Sequence, residues 1–272
     1  MELYSRFSKE KYYYVTYPLQ YKKHSGKEYF TRSKLESYSL PNGTNNIIFL
    51  PDRGIFTEEQ EFPTLNIVNS FDVKNETSIL YTSYFKGVNK SEIRLVNDSG
   101  EDTKIFEVSG NVSSIIVFDN SIVVLDKTGG KIWSYSEGIL TELPNTENLI
   151  RPNCLMKTKE GIVIGDKYNI WLYNSSLQKL VTVQHLEEEA EYHGKGVISM
   201  EINDNTITYL FDSDSLYSTR EIYQYDMSTK SASKIISEEE FNKLNIGHGI
   251  EGFYVKGDQV VVWTEDQFSE PL

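Results

Sequence analysis

One cysteine, Cys154, stands in a chain of 272 residues, so no internal disulfide can form. That suits a reducing compartment, or a fold that needs no covalent staples. Cys154 begins an expected inner strand and reads as a buried structural thiol rather than a nucleophile. Basic residues are scarce beside acidic ones: 27 Lys and Arg against 40 Asp and Glu leave a net charge of −13. Nucleic-acid backbones and anionic membrane surfaces demand clustered positive charge, so neither is expected as a partner. Apolar runs of membrane-spanning length are missing, and Met1 is followed by Glu2 and a Tyr-rich stretch rather than a basic-then-apolar leader. The expectation is no membrane insertion and, by default, a cytoplasmic location. The chain also lacks a Gly-x-Ser-x-Gly elbow, a phosphate loop and a dinucleotide fingerprint, so no cofactor is expected. The segment 185–193 carries metal-ligand residue types without the His-Glu-x-x-His spacing that puts two imidazoles on one helical face, and it reads as a solvated acidic loop. Asp212-Ser-Asp-Ser lacks the Gly and the bidentate Glu of a calcium loop. No metal is expected.

What is present is aromatic and repetitive. Aromatics make up 13% of the chain, with 19 Tyr and 13 Phe, and such residues favour pleated, half-buried surfaces. A short motif recurs as Ile132-Trp-Ser-Tyr-Ser, Ile170-Trp-Leu-Tyr-Asn and Ile222-Tyr-Gln-Tyr-Asp, with fainter copies at Leu35 and Ile93. The clearest unit, 110–144, reads as four short strands in a row: 114–119, 121–126, 131–136 and 139–143. Turns at Asn120, Gly129-Gly130 and Glu137-Gly138 join them into a meander. The same pattern is predicted for units 19–50, 51–109, 145–184 and 185–240. Acidic runs at 187–191 and 238–240 are candidates for short helices. The remaining strands, two at each terminus, suggest one further unit made of 241–272 joined with 1–18.

A four-strand meander returning about every 40 residues resembles a six-bladed β-propeller. The resemblance is architectural and covers the whole chain as a single domain. It implies an all-β, six-bladed β-propeller of four-stranded antiparallel blades, closed by pairing the N- and C-terminal strands in one blade. No Gly-His to Trp-Asp pair, sialidase loop, Tyr-Trp-Thr-Asp strand or repeated Kelch double glycine accompanies it.

In such a fold the loops leading into the innermost strands crowd one mouth of the channel. They would bring Asn66, Arg151, Asn153, Lys195 and Glu251 together as a polar ligand site, with Asn111 and Ser113 nearby. His193 and His248, from adjacent blades, would be the catalytic acid/base pair if the protein is an enzyme. Trp133, Trp171 and Tyr223 recur at equivalent places and read as inter-blade packing. Tyr clusters at 12–14 and at Tyr81 and Tyr84 are candidates for an exposed protein or glycan surface. The leading expectation is a non-enzymatic binding or scaffold module with a protein partner. The alternatives are a channel-mouth hydrolase or lyase using His193, His248 and Arg151, and a carbohydrate-binding propeller.

Overall fold

The computed structural model describes residues 5–8, 11–16, 20–24, 27–31, 34–39, 44–49, 66–75, 78–85, 88–97, 99, 101–183, 196–214, 219–243, 248–256 and 259–265, and its side chains from Ser70 onward. They divide into two compact units, Leu3–Thr141 and Glu142–Leu272.

The first unit begins with β1 (Ser5–Ser8), β2 (Lys11–Thr16), β3 (Gln20–His24), β4 (Lys27–Thr31), β5 (Lys34–Ser39) and β6 (Thr44–Phe49). These do not form the expected meander over 19–50. β1, β2, β5 and β6 make one four-stranded sheet in that order, while β3 and β4 pair as a separate hairpin inserted between β2 and β5. Strands 5–16 therefore belong with 34–49, which corrects the expected grouping of 1–18 with the C-terminal residues. A hairpin can be inserted between two paired strands without changing their alternation, so the sequence pattern did not reveal it.

Next come β7 (Asn66–Asn75), β8 (Ser78–Phe85), β9 (Lys90–Asn97) and β10 (Asp102–Ser109), then β11 (Val112–Phe118), β12 (Ser121–Asp126), β13 (Lys131–Ser136) and β14 (Ile139–Glu142). Each set is a four-stranded antiparallel meander of consecutive strands. The β11–β12 turn places both Asp119 (φ 45) and Asn120 (φ 63) in the left-handed region, the backbone of a two-residue primed hairpin turn.

The second unit holds β15 (Cys154–Lys157), β16 (Ile162–Gly165), β17 (Asn169–Tyr173) and β18 (Leu177–Thr182), followed by β19 (Gly196–Asn203), β20 (Thr206–Asp214), β21 (Thr219–Asp226) and β22 (Ser231–Ile236). Both sets are again consecutive meanders. A short helix, α1 (Glu238–Lys243), follows and takes up the acidic run 238–240; the two-stranded sheet of β23 (His248–Lys256) and β24 (Gln259–Glu265) comes last. The other acidic run, 187–191, lies outside the described residues. Among the described residues four blades of consecutive strands are complete, against the six expected. No described helix is long and apolar enough to cross a membrane.

Burial explains why the middle strands read as continuous apolar runs. β12 is buried along Ile122-Val-Val-Leu because both its faces are covered. One core joins Leu80, Ile93 and Val108 of the third sheet to Val112, Ile115 and Val124 of the next. Its counterpart in the second unit joins Val163, Ile170 and Leu172 to Val197, Ile207 and Tyr209. Outer strands are exposed on most positions, as β14 and β22 show. Within each unit the first strands of successive blades lie beside each other, and in the first unit polar groups tie them. Ser70 Oγ and Asp72 Oδ2 on β7 accept the amides of Ile115 and Val117 on β11, at 3.3 and 2.8 Å.

Candidate functional site

The same hydrogen-bonded clamp occurs twice where a loop leads into a first strand. In the second unit the clamp is built on Asp166, which is fully buried just past the end of β16. Its Oδ1 accepts the amides of Tyr168 and Asn169 at 2.7 and 2.6 Å, closing the turn into β17. Its Oδ2 accepts the Trp171 indole N–H at 2.8 Å and the Ile150 amide at 3.2 Å. The Lys167 amide donates back to the Ile150 carbonyl at 2.9 Å. One carboxylate thus serves four N–H donors and fixes Ile150 from both sides. A buried charge is stable only when its lone pairs are used in this way.

In the first unit Asp126, which ends β12, does the same. It accepts the amides of Asn111, Thr128 and Gly129 at 3.1, 2.9 and 3.1 Å. The Lys127 amide donates to the Asn111 carbonyl at 2.8 Å. Gly110 sits against this carboxylate at φ 116, where an added Cβ would lie 2.4 Å from Oδ1. The turn after Asp126 is two residues longer than the turn after Asp166, counting from Asp126 to Ile132 and from Asp166 to Ile170. The extra residues draw Oδ2 to the Gly129 amide, and the buried Trp133 indole N–H has no hydrogen-bond partner among the described residues. The sequence signal is Asp-Lys followed by Ile-Trp in both blades. The Ile-Trp half is visible as a repeat; the Asp-Lys half looks like any polar turn until the carboxylate's acceptors are counted.

The clamp on Ile150 defines the surface beside it. Ile150 is 47% exposed despite being a large apolar residue. Arg151 follows, exposed and at φ 51. Pro152 is buried and fixes the next φ. A non-glycine residue in the left-handed region costs about 1–2 kcal/mol and persists only where its surroundings over-determine it. Here they do. Asn153 is half-buried, and its amide donates to the Gly165 carbonyl at 2.9 Å. Arg151 and Asn153 therefore share one loop held by backbone hydrogen bonds on either side.

Of the other expected site residues, Asn66, His248 and Glu251 are described in their backbone alone. Asn66 opens β7 in the first unit, paired with Phe85. His248 opens β23 opposite Glu265, and Glu251 lies within β23. The side chains of Asn66, His248 and Glu251 lie outside the described residues, as do His193 and Lys195 altogether. Asn111 is part of the Asp126 clamp, and Ser113 is buried. Cys154 is half-buried, its Sγ 3.7 Å from the Val197 carbonyl. Among the described residues no group of three His, Cys, Asp or Glu could hold a metal ion.

Tyr81 corrects an expectation. It is not a surface residue but 1% exposed, and its hydroxyl donates to Asp102 at 3.0 Å. Asp102 also accepts from Arg94 Nε at 3.0 Å, and Arg94 Nη1 reaches Glu92 at 2.6 Å. Burial alone would lower the Arg94 guanidinium, but its acidic partners hold it above its ordinary value. Arg94 follows Ile93 as Trp133 follows Ile132, so a buried ion-pair network replaces the aromatic of the other blades. The expected packing role holds for two of the three aromatics. Trp133 packs against the core shared by two blades of the first unit and Tyr223 against that of the second, where it also stacks on Tyr209 of its own blade at 5.4 Å. Trp171 is drawn to Asp166.

No protein-family model and no curated protein sequence matches the chain. Solved structures do. A protein from Lactobacillus plantarum superposes with TM-score 0.58 at 13% identity, covering 98% of this chain and 78% of that one. A chain of the nidogen/laminin complex gives TM-score 0.57 at 13% identity, covering 86% and 78%. The β-propeller domain of the trilobed protease from Pyrococcus furiosus, described as having an open velcro topology, gives 0.52 at 13% identity, covering 97% and 80%. At such identities the likeness speaks for the fold alone, and with the meanders above it makes this chain an all-β propeller of four-stranded antiparallel blades.

Proposed function

We propose that this propeller is a non-enzymatic binding module that engages a protein partner through its loop face, with Ile150 and Arg151 as anchors. The reading takes the fold as six-bladed, with the sheet of β1, β2, β5 and β6 as one further blade and β23–β24 as the start of the last. The observation that carries it is the clamp: an exposed isoleucine is held through its amide by a buried carboxylate, and the exposed arginine that follows it sits in costly left-handed backbone. Arginine is enriched among the residues that dominate interface energetics. Holding such residues rigid before binding lowers the ordering cost of association. The net charge of −13 favours a partner with a basic patch around the anchor's rim.

The test compares wild-type protein with Ile150→Asp and Arg151→Gly as baits in extract of the source cells, read by quantitative mass spectrometry. Arg151→Gly relieves the left-handed strain, so its fold is expected to be unchanged or more stable by up to about 1 kcal/mol. Loss of a captured protein with both variants then reports binding rather than unfolding. Equal recovery of every captured protein by all three baits overturns the proposal.

A further inference from the structure

A second surface lies at the other end of the strands from the Asp166 clamp, wholly within the second unit. There the outer strand β18 of one blade faces the β21–β22 turn of the next across a groove of about 390 Å³. Pockets of this size hold ligands. Its floor is apolar: Leu172 is 8% exposed, Tyr225 is 3% exposed, and Met227 is half-buried. Its rim carries Lys179 and Lys230 against a single acid, Glu160, all three exposed. On a chain of net charge −13, a groove with a basic excess is a local inversion. Asp226 is nearby but does not line the groove, and its carboxylate accepts the Ser228 and Thr229 amides of its own turn at 2.8 and 3.2 Å. Lys230 is held at φ 56 in that turn, which aims a strained residue at the rim.

The groove has a third property. β18 is the last strand of its sheet, so one of its edges carries backbone N–H and C=O groups that no strand of that sheet pairs. Main-chain edge, apolar floor and basic rim together match an extended peptide that adds as a strand, with alternate side chains pointing down and out. The geometry points to this groove as a docking site for an extended segment of alternating apolar and acidic residues from another protein. Apolar side chains fill the floor over Leu172, Tyr225 and Met227. Acidic side chains meet Lys179 and Lys230. The site is separate from the Ile150–Arg151 loop and does not depend on it.

Fluorescence anisotropy of a fluorescein-labelled peptide of alternating Leu and Asp, titrated with the full chain, tests the assignment. Saturable binding is expected, weaker in high salt and reduced roughly tenfold or more in Lys179→Glu/Lys230→Glu. Both lysines are exposed, so the double variant is expected to keep its thermal midpoint. The same peptide N-methylated at alternate residues removes the strand's donors while keeping its charge, and it is expected to lose binding. Equal binding by the double variant, equal binding of a Leu and Lys peptide, or full displacement by succinate overturns the proposal; the last result would mean a simple carboxylate site. Undiminished binding of the N-methylated peptide also overturns it.

Discussion

Asp166 shows how much one residue can organise. Four N–H groups converge on its carboxylate, from Ile150, Tyr168, Asn169 and the Trp171 indole. Removing the acceptor leaves buried donors without a partner, and each such loss costs about 1–3 kcal/mol. Asp166→Ala is therefore expected to destabilise the protein by about 3 kcal/mol or more in urea unfolding, with Asp166→Asn intermediate. Asp226 makes a similar turn with Ser228 and Thr229, and those bonds hold its carboxyl below the ordinary range, yet it lies at the surface. Asp226→Ala is expected to change stability far less. A result in which the two substitutions cost the same would contradict the clamp. Neither role was legible in the sequence. Both residues read as polar turn formers, because the number of donors converging on a carboxylate depends on loops distant along the chain.

At the scale of elements, blades meet through close approaches that a side chain would block. Gly196, which opens β19, has φ 83, and a Cβ there would lie 2.4 Å from the Lys167 backbone in the preceding blade's turn. Backbone cannot yield as a flexible side chain does. Gly196→Ala is expected to lower stability by about 1–3 kcal/mol, measured as a shift of the urea midpoint without a change in slope. The strand pair β20–β21 supplies a second expectation. Tyr209 and Tyr223 stack at 5.4 Å and 11°, and burial pushes both phenols well above the usual tyrosine range, with Glu221 adding to the shift at Tyr223. A raised folded pKa contributes stability that is fully present below the unfolded value of about 10. That contribution is lost as pH rises from there through the folded values. Thermal stability is thus expected to fall on alkaline titration above about pH 10, and to fall less in Tyr209→Phe/Tyr223→Phe. A pH profile identical in the double variant would contradict this. The meanders themselves were legible from alternation and turn residues over 66–142 and 154–236, whose strands lie where the pattern put them. The N-terminal strands were not. Pairing β2 with β5 skips the β3–β4 hairpin, and alternation records which face a residue takes, not which strand lies beside it.

At the scale of the whole molecule, function rests on which surfaces the propeller presents. The loop at 150–153 and the groove beside β18 are the two surfaces proposed to bind, both in one unit and at opposite ends of its strands. The hydrolase or lyase alternative assigns chemistry to His193 and His248, and the binding reading needs neither. Replacing both histidines with Ala is expected to leave capture of a partner by the Ile150–Arg151 loop unchanged, measured with the same baits. Loss of that capture in a variant that stays folded would tie the loop to the histidines and weaken the binding reading.

By itself the sequence determined the class of fold. A strand pattern returning about every 40 residues, with Ile and an aromatic at fixed places, leaves few ways to bury its apolar faces other than stacked meanders. It also placed Arg151 and Asn153 on one loop, because neighbours along the chain stay neighbours in space. Tertiary structure decided the rest: which strands joined the first sheet, why Arg94 replaces an aromatic, and why Trp171 finds Asp166 while Trp133 finds no acceptor among the described residues. Each of those outcomes turns on the distance between residues far apart in sequence, and a local pattern carries no such distance.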